Sequence, residues 1–257
     1  MQAEVIKNKK VGSDYYYMKL KTGDIDDSWQ PGRFLHIKLS AKKTYDPLLR
    51  RPFSLFDINR ERGIFDLLYC VVGRGTKMMT DISPGEKIDF IGPLGNGFSL
   101  PQEKEILVIG GGMGTAPLFY LCRKLTDSNK VTFMLGGNDC TDVDFFEKKF
   151  GALKLRMNTA TIDGSRGFHG NVIQLCREKI KDFSKIDFLF TCGPKLMLQA
   201  VKKMATAENI TGEVSLEERM GCGLGVCLSC VCDTDKGNQR VCQEGPVFAL
   251  DEVIFDE

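Results

Sequence analysis

The chain has 257 residues, of which 42% are hydrophobic and 27% are charged. These proportions are typical of a globular protein with a sizeable core, and they exclude a disordered or collagen-like chain. The formal net charge of +1 gives the protein no overall field that would attract nucleic acid.

Short β-like segments fill the first hundred residues. Three strands are predicted at residues 34–39, 63–72 and 87–91, and glycine, proline and aspartate separate them at short intervals. A short helix is predicted at residues 76–82. This pattern predicts an antiparallel β-barrel or sandwich over residues 1–100.

Buried strands and helices alternate after Pro101. The first two strands, residues 106–109 and 131–135, are apolar runs, which are typical of a sheet covered on both faces. The predicted strands are residues 106–109, 131–135, 153–159 and 187–192. The predicted helices between and after them are residues 117–125, 145–150, 172–180 and 195–207. This order predicts a doubly wound parallel α/β domain over residues 101–213, followed by a small cysteine-rich domain over residues 214–257.

Five of the ten cysteines lie within the 21 residues that begin at Cys222 and end at Cys242. Together with Cys227 and Cys230, these two residues give the pattern C-x4-C-x2-C-x11-C, which is the plant-type 2Fe–2S spacing. The glycine-rich stretch before Cys227 can curl closely around an inorganic core because glycine lacks a side chain. Cys242 is expected on a strand after a turn at residues 233–238.

Tetrahedral zinc is the alternative occupant of a site with four thiolates. Zinc sites usually contain two short C-x2-4-C pairs, and the second pair is missing here. The spacing therefore favours iron–sulfur. The fifth cysteine of the group, Cys232, is interpreted as a small buried residue beside the site.

Two strand-ending turns suit a nucleotide. The first, Gly110-Gly111-Gly112-Met113-Gly114, leads from a strand into a helix, whose N-terminus attracts a pyrophosphate. The second begins at Cys192 and reaches the same edge of the predicted sheet, where α/β proteins bind ligands. The first turn alone is as consistent with simple packing, because Thr115 takes the place of the third glycine in the dinucleotide fingerprint.

Two segments of the first hundred residues suit phosphate binding. Arg51 and Ser54 lie three residues apart in an extended segment and offer a guanidinium and a hydroxyl group. Gly75 and Thr76 follow a strand and open a helix. Each segment also has an ordinary interpretation, as a solvated basic turn and as a strand-ending turn.

The order of these motifs, R-P-F-S, G-R-G-T, G-G-G-M-G-T-A-P and C-G-P, resembles the ferredoxin reductase family. In that family a β-barrel binds FAD and an α/β domain binds a nicotinamide nucleotide. Residues 92–98, 215–227 and 241–248 resemble one branch, the electron-transfer subunits of a two-subunit, NAD-linked dihydroorotate dehydrogenase. The resemblance covers essentially the whole chain, although the family often has Val-Pro or a similar pair where Thr115-Ala116 stands.

The resemblance implies three cofactor sites. FAD would contact Arg51, Pro52, Phe53, Ser54, Gly75 and Thr76, and Leu68, Tyr69 and Cys70 would line its site from a neighbouring strand. NAD would face Gly110, Gly111, Gly112 and Gly114, with Cys192 near the nicotinamide as the catalytic residue. The 2Fe–2S cluster would be held by Cys222, Cys227, Cys230 and Cys242.

The resemblance also implies a partner. That subunit carries FMN and oxidises dihydroorotate in pyrimidine biosynthesis, two copies of each subunit form a heterotetramer, and electrons pass through this chain to NAD⁺. No acid–base pair is required in this chain, so His36 and His169 are interpreted as structural or surface residues. Two alternatives stay open: an autonomous NAD(P)H-dependent reductase for a ferredoxin or an oxygenase, and a zinc-binding scaffold without redox activity.

The expected location is the cytoplasm. The first ten residues contain no apolar stretch that could act as a secretory signal. The longest uncharged run, residues 106–122, is too short and too rich in glycine to span a bilayer. Cytoplasmic thiols stay reduced, which favours metal binding over disulfides.

Overall fold

An antiparallel barrel forms the N-terminal part of the computed structural model, which describes residues 1–23, 25–39, 46–182 and 185–255. Its strands are β1 (Gln2–Lys10), β2 (Tyr15–Lys21), β3 (Phe34–Ile37), β4 (Arg51–Ser54), β5 (Asp57–Asn59), β6 (Ile64–Cys70) and β7 (Lys87–Leu94). They lie in the order β4-β3-β7-β1-β2-β6-β5, and all neighbouring pairs are antiparallel. Helix α1 (Arg74–Met79) follows β6.

A parallel sheet forms the second part of the chain. Its strands are β8 (Glu105–Gly111), β9 (Lys130–Gly137), β10 (Arg156–Thr161), β11 (Phe168–His169), β12 (Phe188–Cys192) and β13 (Gly212–Ser215). The C-terminal segment then contributes a hairpin of β14 (Val231–Thr234) and β15 (Gly237–Arg240), and a last strand, β16 (Val247–Ala249). The sheet order is β11-β10-β9-β8-β12-β13-β16, and only β16 is antiparallel to its neighbour among the described strands.

Helices cover both faces of this sheet. They are α2 (Ala116–Leu125), α3 (Cys140–Phe150), α4 (Val172–Lys179) and α5 (Lys195–Ala207), with short 3-10 turns at Gly112–Thr115 and Ile180–Asp182. Val108 of β8 packs with α2 and α3, whereas Leu107 and Ile109 pack with α4 and α5. Successive residues of a strand point to opposite faces, so an unbroken apolar run is required here. The predicted fold class is confirmed.

Helix α2 joins the barrel to the parallel sheet. Phe119 stacks on Phe56 of the barrel, with the ring centroids 4.6 Å apart. Arg123 donates to Asp57 Oδ1 at 2.8 Å and to the carbonyl oxygen of Ile58 at 2.9 Å. A stacked aromatic pair beside a charge-assisted hydrogen bond orients the two parts of the chain.

The C-terminal segment is attached to both parts of the chain. Val214 of β13 pairs with Phe248 of β16, so the chain returns to the edge of the parallel sheet. Asn96, after β7, donates through its backbone N–H to the carbonyl oxygen of Gly245 at 2.6 Å and through its side chain to that of Glu244 at 2.7 Å. The predicted domain limits at residues 100 and 213 remain predictions, and β13 runs across the second of them.

Several elements differ from their predicted extents. Helix α3 begins at Cys140, five residues before the predicted start, because the Asp139 carboxylate caps it by accepting from the backbone N–H groups of Thr141 and Asp142. The prediction that Cys242 lies on a strand is wrong: it lies in a turn two residues after β15. Among the described residues, no helix has the length and apolar composition needed to cross a membrane.

Candidate functional site

A cavity of about 860 Å³ lies where the barrel, the parallel sheet and the C-terminal segment meet. This volume is within the range of cofactor-binding pockets. The cavity is lined by every residue that was predicted to contact FAD, namely Arg51, Pro52, Phe53, Ser54, Leu68, Tyr69, Cys70, Gly75 and Thr76. The fold therefore brings together β4, the end of β6 and the start of α1, as the predicted FAD site requires.

Arg51 and Arg50 have different surroundings although they are neighbours in sequence. Arg51 lines the cavity, and its Nη1 donates to the carbonyl oxygens of Leu49 at 2.8 Å and Arg50 at 3.1 Å. These bonds fix one edge of the guanidinium group and leave its other donors for a ligand. Arg50 is paired instead with Asp89 on the barrel at 2.5 Å.

The Thr76 hydroxyl group is used within its own loop. It accepts from the backbone N–H groups of Val72 at 3.0 Å and Gly73 at 3.3 Å, and it donates to the carbonyl oxygen of Gly73. These bonds close the turn that leads into α1. The first turn of a helix leaves backbone N–H groups without intrahelical partners, so a phosphate at Gly75 and Thr76 would be bound by the main chain.

The glycine-rich turn and the Cys192 turn lie side by side, because Gly110 and Cys192 pair in register on β8 and β12. A Cβ atom on Gly114 would lie 2.6 Å from the backbone N and Cα of Gly193, so close packing requires glycine there. None of the four predicted NAD-facing glycines lines the described cavity, but Met113 from the same turn does. Cys192 is fully buried and does not line the cavity either.

Glu217 is a cavity residue that the sequence reasoning missed. It lies just after β13 and lines the cavity, where its side chain is exposed to solvent, and partial desolvation by the surrounding cavity walls raises the pKa of its carboxyl group. Burial, and then the charge of Glu217, raise the pKa of the Cys192 thiol, which therefore stays protonated. Ligands bind at the carboxyl ends of the strands in such sheets. Applied to the end of β13, this rule would have directed attention to residues 216–220.

The four candidate cluster ligands accept hydrogen bonds from a curled backbone. The N–H of Leu224 points to Cys222 Sγ at 3.3 Å and that of Gly225 to Cys242 Sγ at 3.2 Å. Gly225 has φ +79°, a backbone conformation that favours glycine. Anionic sulfur needs such donors around it, so the loop fits a metal-bound thiolate.

The sulfur atoms form two neighbouring pairs. The backbone N–H of Cys222 points to Cys227 Sγ, and that of Cys242 points to Cys230 Sγ, both at 3.4 Å. In the described part of the chain, no three cysteine, histidine, aspartate or glutamate side chains converge on a point that would hold a single metal ion. Two pairs of thiols suit a 2Fe–2S cluster, in which each iron takes two cysteine ligands.

The candidate ligands differ in exposure and acidity. Cys227 is exposed, and hydrogen bonds, first from the Ser229 hydroxyl group 3.2 Å away, lower the pKa of its thiol to about 6. Cys230 and Cys242 are buried, and burial raises the pKa of Cys242 to about 11. Cys232 is half-buried on β14, with its pKa also raised to about 11 by burial.

One short segment joins the cavity to the cluster loop. Residues 216–220 line the cavity wall, and Cys222 follows Met220 by only two residues. On the far side of the loop, Pro246 returns to the same wall four residues after Cys242. A flavin in the cavity and a cluster held by the loop would therefore lie next to each other.

The C-terminal segment and the whole chain are both similar to known proteins. Residues 217–254 match a family described as the iron–sulfur cluster binding domain of dihydroorotate dehydrogenase B. The dihydroorotate dehydrogenase B (NAD⁺) electron transfer subunit of Desulforamulus reducens is 38% identical over 99% of this chain and 98% of its own. That of Bacillus pumilus is 40% identical over 98% of this chain and 96% of its own.

Solved structures with the same architecture include two oxidoreductases. The NADH-dependent reduced ferredoxin–NADP oxidoreductase superposes with a TM-score of 0.85 and 26% identity, covering 98% of this chain and 90% of its own. A ferredoxin NADP⁺ reductase from Neisseria gonorrhoeae, solved with FAD and NADP bound, gives a TM-score of 0.67 at 13% identity, covering 85% of this chain and 93% of its own. The second likeness concerns the fold alone.

Proposed function

The chain belongs to the family of electron transfer subunits of NAD⁺-linked dihydroorotate dehydrogenase B, and on this basis we propose how its residues share the work of that subunit. It is the oxidoreductase subunit that carries electrons from the FMN of a catalytic partner, through a 2Fe–2S cluster and FAD, to NAD⁺. The partner oxidises dihydroorotate in pyrimidine biosynthesis. Two copies of each subunit are proposed to assemble as a heterotetramer.

The continuity between the cavity and the cluster loop carries this proposal. When bound, a flavin supplies the chemistry that exchanges the two-electron hydride of a nicotinamide for the single electrons of an iron–sulfur cluster. This task requires all three groups to be close together. Met220 on the cavity wall and Cys222 in the loop satisfy that requirement at one end, and Met113 of the glycine-rich turn satisfies it at the other.

The barrel residues are proposed to bind FAD by its pyrophosphate and its ring. The Arg51 guanidinium and the main chain of Gly75 and Thr76 would hold the pyrophosphate, with Thr76 Oγ1 keeping the turn closed. Pro52, Phe53 and Ser54 on β4, facing Leu68, Tyr69 and Cys70 on β6, would enclose the ring system. Most of these residues are apolar, so they would also exclude water from the reacting face.

The edge of the parallel sheet is proposed to present the nicotinamide. Gly110, Gly111, Gly112 and Gly114 would let the NAD pyrophosphate approach the main chain above β8. Burial keeps the Cys192 thiol protonated, so we assign it a neutral role in shaping the floor beneath the nicotinamide. Glu217 lines the cavity and its charge acts on the Cys192 thiol, so we assign it an electrostatic role beside the nicotinamide.

The cluster loop is proposed to be the face that meets the partner. Cys227 is exposed, and beside it Leu224, Val226 and Leu228 expose 50%, 80% and 63% of their surface. Apolar side chains grouped in this way are typical of a protein interface. Cysteine ligands must stay reduced to bind metal, and we accordingly propose a cytoplasmic location.

Reconstitution tests this function. The purified chain should show flavin and iron–sulfur absorbance, and it should reduce NAD⁺ with dihydroorotate only when an FMN-containing dihydroorotate dehydrogenase subunit is added. NADH oxidation with an artificial dye should need no partner, because it uses only the FAD and NAD sites. If the chain alone reduced a ferredoxin at the same rate and bound no FMN subunit, the autonomous reductase would be the better assignment.

A further inference from the structure

Strand β3 lies between the barrel core and the cluster loop. Leu35 and Ile37 point into the barrel core, where they pack among its buried side chains. Residues of a strand alternate between faces, so Phe34 and His36 point the other way. Phe34 packs in the buried group that also contains Cys242, which places the C-terminal segment directly over this face of β3.

His36 is buried on this face without a partner. It is 1% exposed, and within the described part of the chain neither ring nitrogen makes a hydrogen bond of normal length and angle. In either protonation state the ring carries at least one N–H that can donate. A buried polar group without a hydrogen bond is costly, and such groups are usually retained for a reason.

The His36 ring contacts the cluster loop on one side. Gly223 has φ +69°, and a Cβ atom placed on it would lie only 2.6 Å from His36 Nδ1. The peptide that joins Gly223 to Cys222 therefore lies directly against the ring.

We propose that His36 is the positioning residue of the cluster: its buried ring packs on Gly223 and offers an N–H to the peptide between Cys222 and Gly223, which keeps the loop against β3. The inference rests on the proposed role of Cys222 as a cluster ligand. His36 also pairs in register with Pro52 of β4, whose strand lines the FAD cavity. One side chain therefore fixes the first cluster ligand relative to the flavin-binding strand. Hydrogen bonding and solvent access around the sulfur atoms tune the reduction potential of such a cluster, so the loop position matters for electron transfer.

The test compares His36→Leu with His36→Asn in the full chain loaded with FAD and cluster. Asparagine places an amide N–H near the position of Nδ1, whereas leucine fills space without a donor. Three readouts are the electron paramagnetic resonance spectrum of the reduced cluster, its reduction potential, and the rate of cluster loss to a chelator. A single hydrogen bond changes an equilibrium by about three- to tenfold. The leucine variant should lose its cluster faster by that factor, with a shifted spectrum and potential, and the asparagine variant should return close to wild type.

Ile37→Val is the matched control, because it weakens the neighbouring position of β3 on the face that points into the barrel. It should lower the melting temperature and leave the cluster spectrum unchanged. A leucine variant with the wild-type spectrum, potential and release rate would refute the role of His36, as would an Ile37→Val variant that shifts them equally. Absence of a 2Fe–2S signal from the wild-type chain would instead refute the ligand assignment on which the inference depends.

Discussion

Replacing Arg51 by alanine should weaken FAD binding without unfolding the protein. The side chain lines the cavity, and its own loop uses only Nη1, so the other donors are available to a pyrophosphate oxygen. A hydrogen bond to a charged group contributes about 1.5–3 kcal/mol. At 1.4 kcal/mol per factor of ten, the dissociation constant for FAD should rise about ten- to a hundredfold. The FAD affinity of Arg51→Lys should lie between those of the wild type and Arg51→Ala, because lysine keeps the positive charge but lacks the planar, two-pronged donor group of arginine.

The assay is fluorescence titration of the flavin-free chain with FAD, and Arg50→Ala is the matched control. Arg50 carries the same charge one residue earlier but pairs with Asp89 on the barrel, where a partly exposed ion pair contributes about 0–1 kcal/mol. Its removal should leave FAD affinity within about twofold of wild type, because Arg50 does not line the cavity and Asp89 offsets its charge. Equal losses in the two variants would mean a general effect of positive charge. An Arg51→Ala variant with wild-type affinity would refute the phosphate role.

Three further predictions concern the other sites. Cys227→Ser should abolish the iron–sulfur absorbance while FAD content and NADH-to-dye activity persist; Cys232→Ser should keep the absorbance, and a loss there would overturn the ligand set. The raised pKa of Glu217 means that the folded state binds more protons than the unfolded state, so stability falls as pH rises through that pKa. Glu217→Gln should therefore flatten the decline in melting temperature of the FAD-free chain as pH rises above the usual carboxyl pKa, and an unchanged slope would contradict desolvation of this carboxylate. Gly114→Ala should raise the Michaelis constant for NADH and cost about 1–3 kcal/mol of stability, because its Cβ atom would lie 2.6 Å from the backbone of Gly193. Gly23→Ala is the control: its Cβ atom would have no neighbour within 4 Å, so neither quantity should change.

Features that depend only on residues close together in the sequence were predicted well. The spacing of the cysteines is a local property of one loop, and unbroken apolar runs such as β8 leave few alternatives to a covered parallel sheet. Strand β1 was missed because most of its residues are exposed, so its apolar alternation is short. Helix α3 was predicted five residues too short because the cap at Asp139 lies outside the apolar pattern.

Contacts between distant parts of the chain could not be predicted in the same way. His36 was interpreted as a structural or surface residue because its neighbours along β3 say nothing about Gly223, which packs on its ring. Glu217 has no motif of its own, and its position matters only because β13 ends at the cavity. Likewise, Cys192 is in a recognisable turn, but its complete burial depends on the packing of Gly114 against Gly193.

The C-terminal segment explains why the cluster and the flavin would stay in a fixed relation. A loop tethered at one end could move relative to the cavity, but this loop is held at both ends. Met220 enters it from the cavity wall and Pro246 leaves it at the same wall, while Asn96 of the barrel bonds to the backbone of Gly245. Beyond that point β16 pairs with β13, so the sheet that carries the proposed nicotinamide turn also anchors the proposed cluster loop. Each proposed cofactor site thereby shares a hydrogen-bonded backbone element with the next, so we expect electron transfer to depend on how the cluster loop sits against His36.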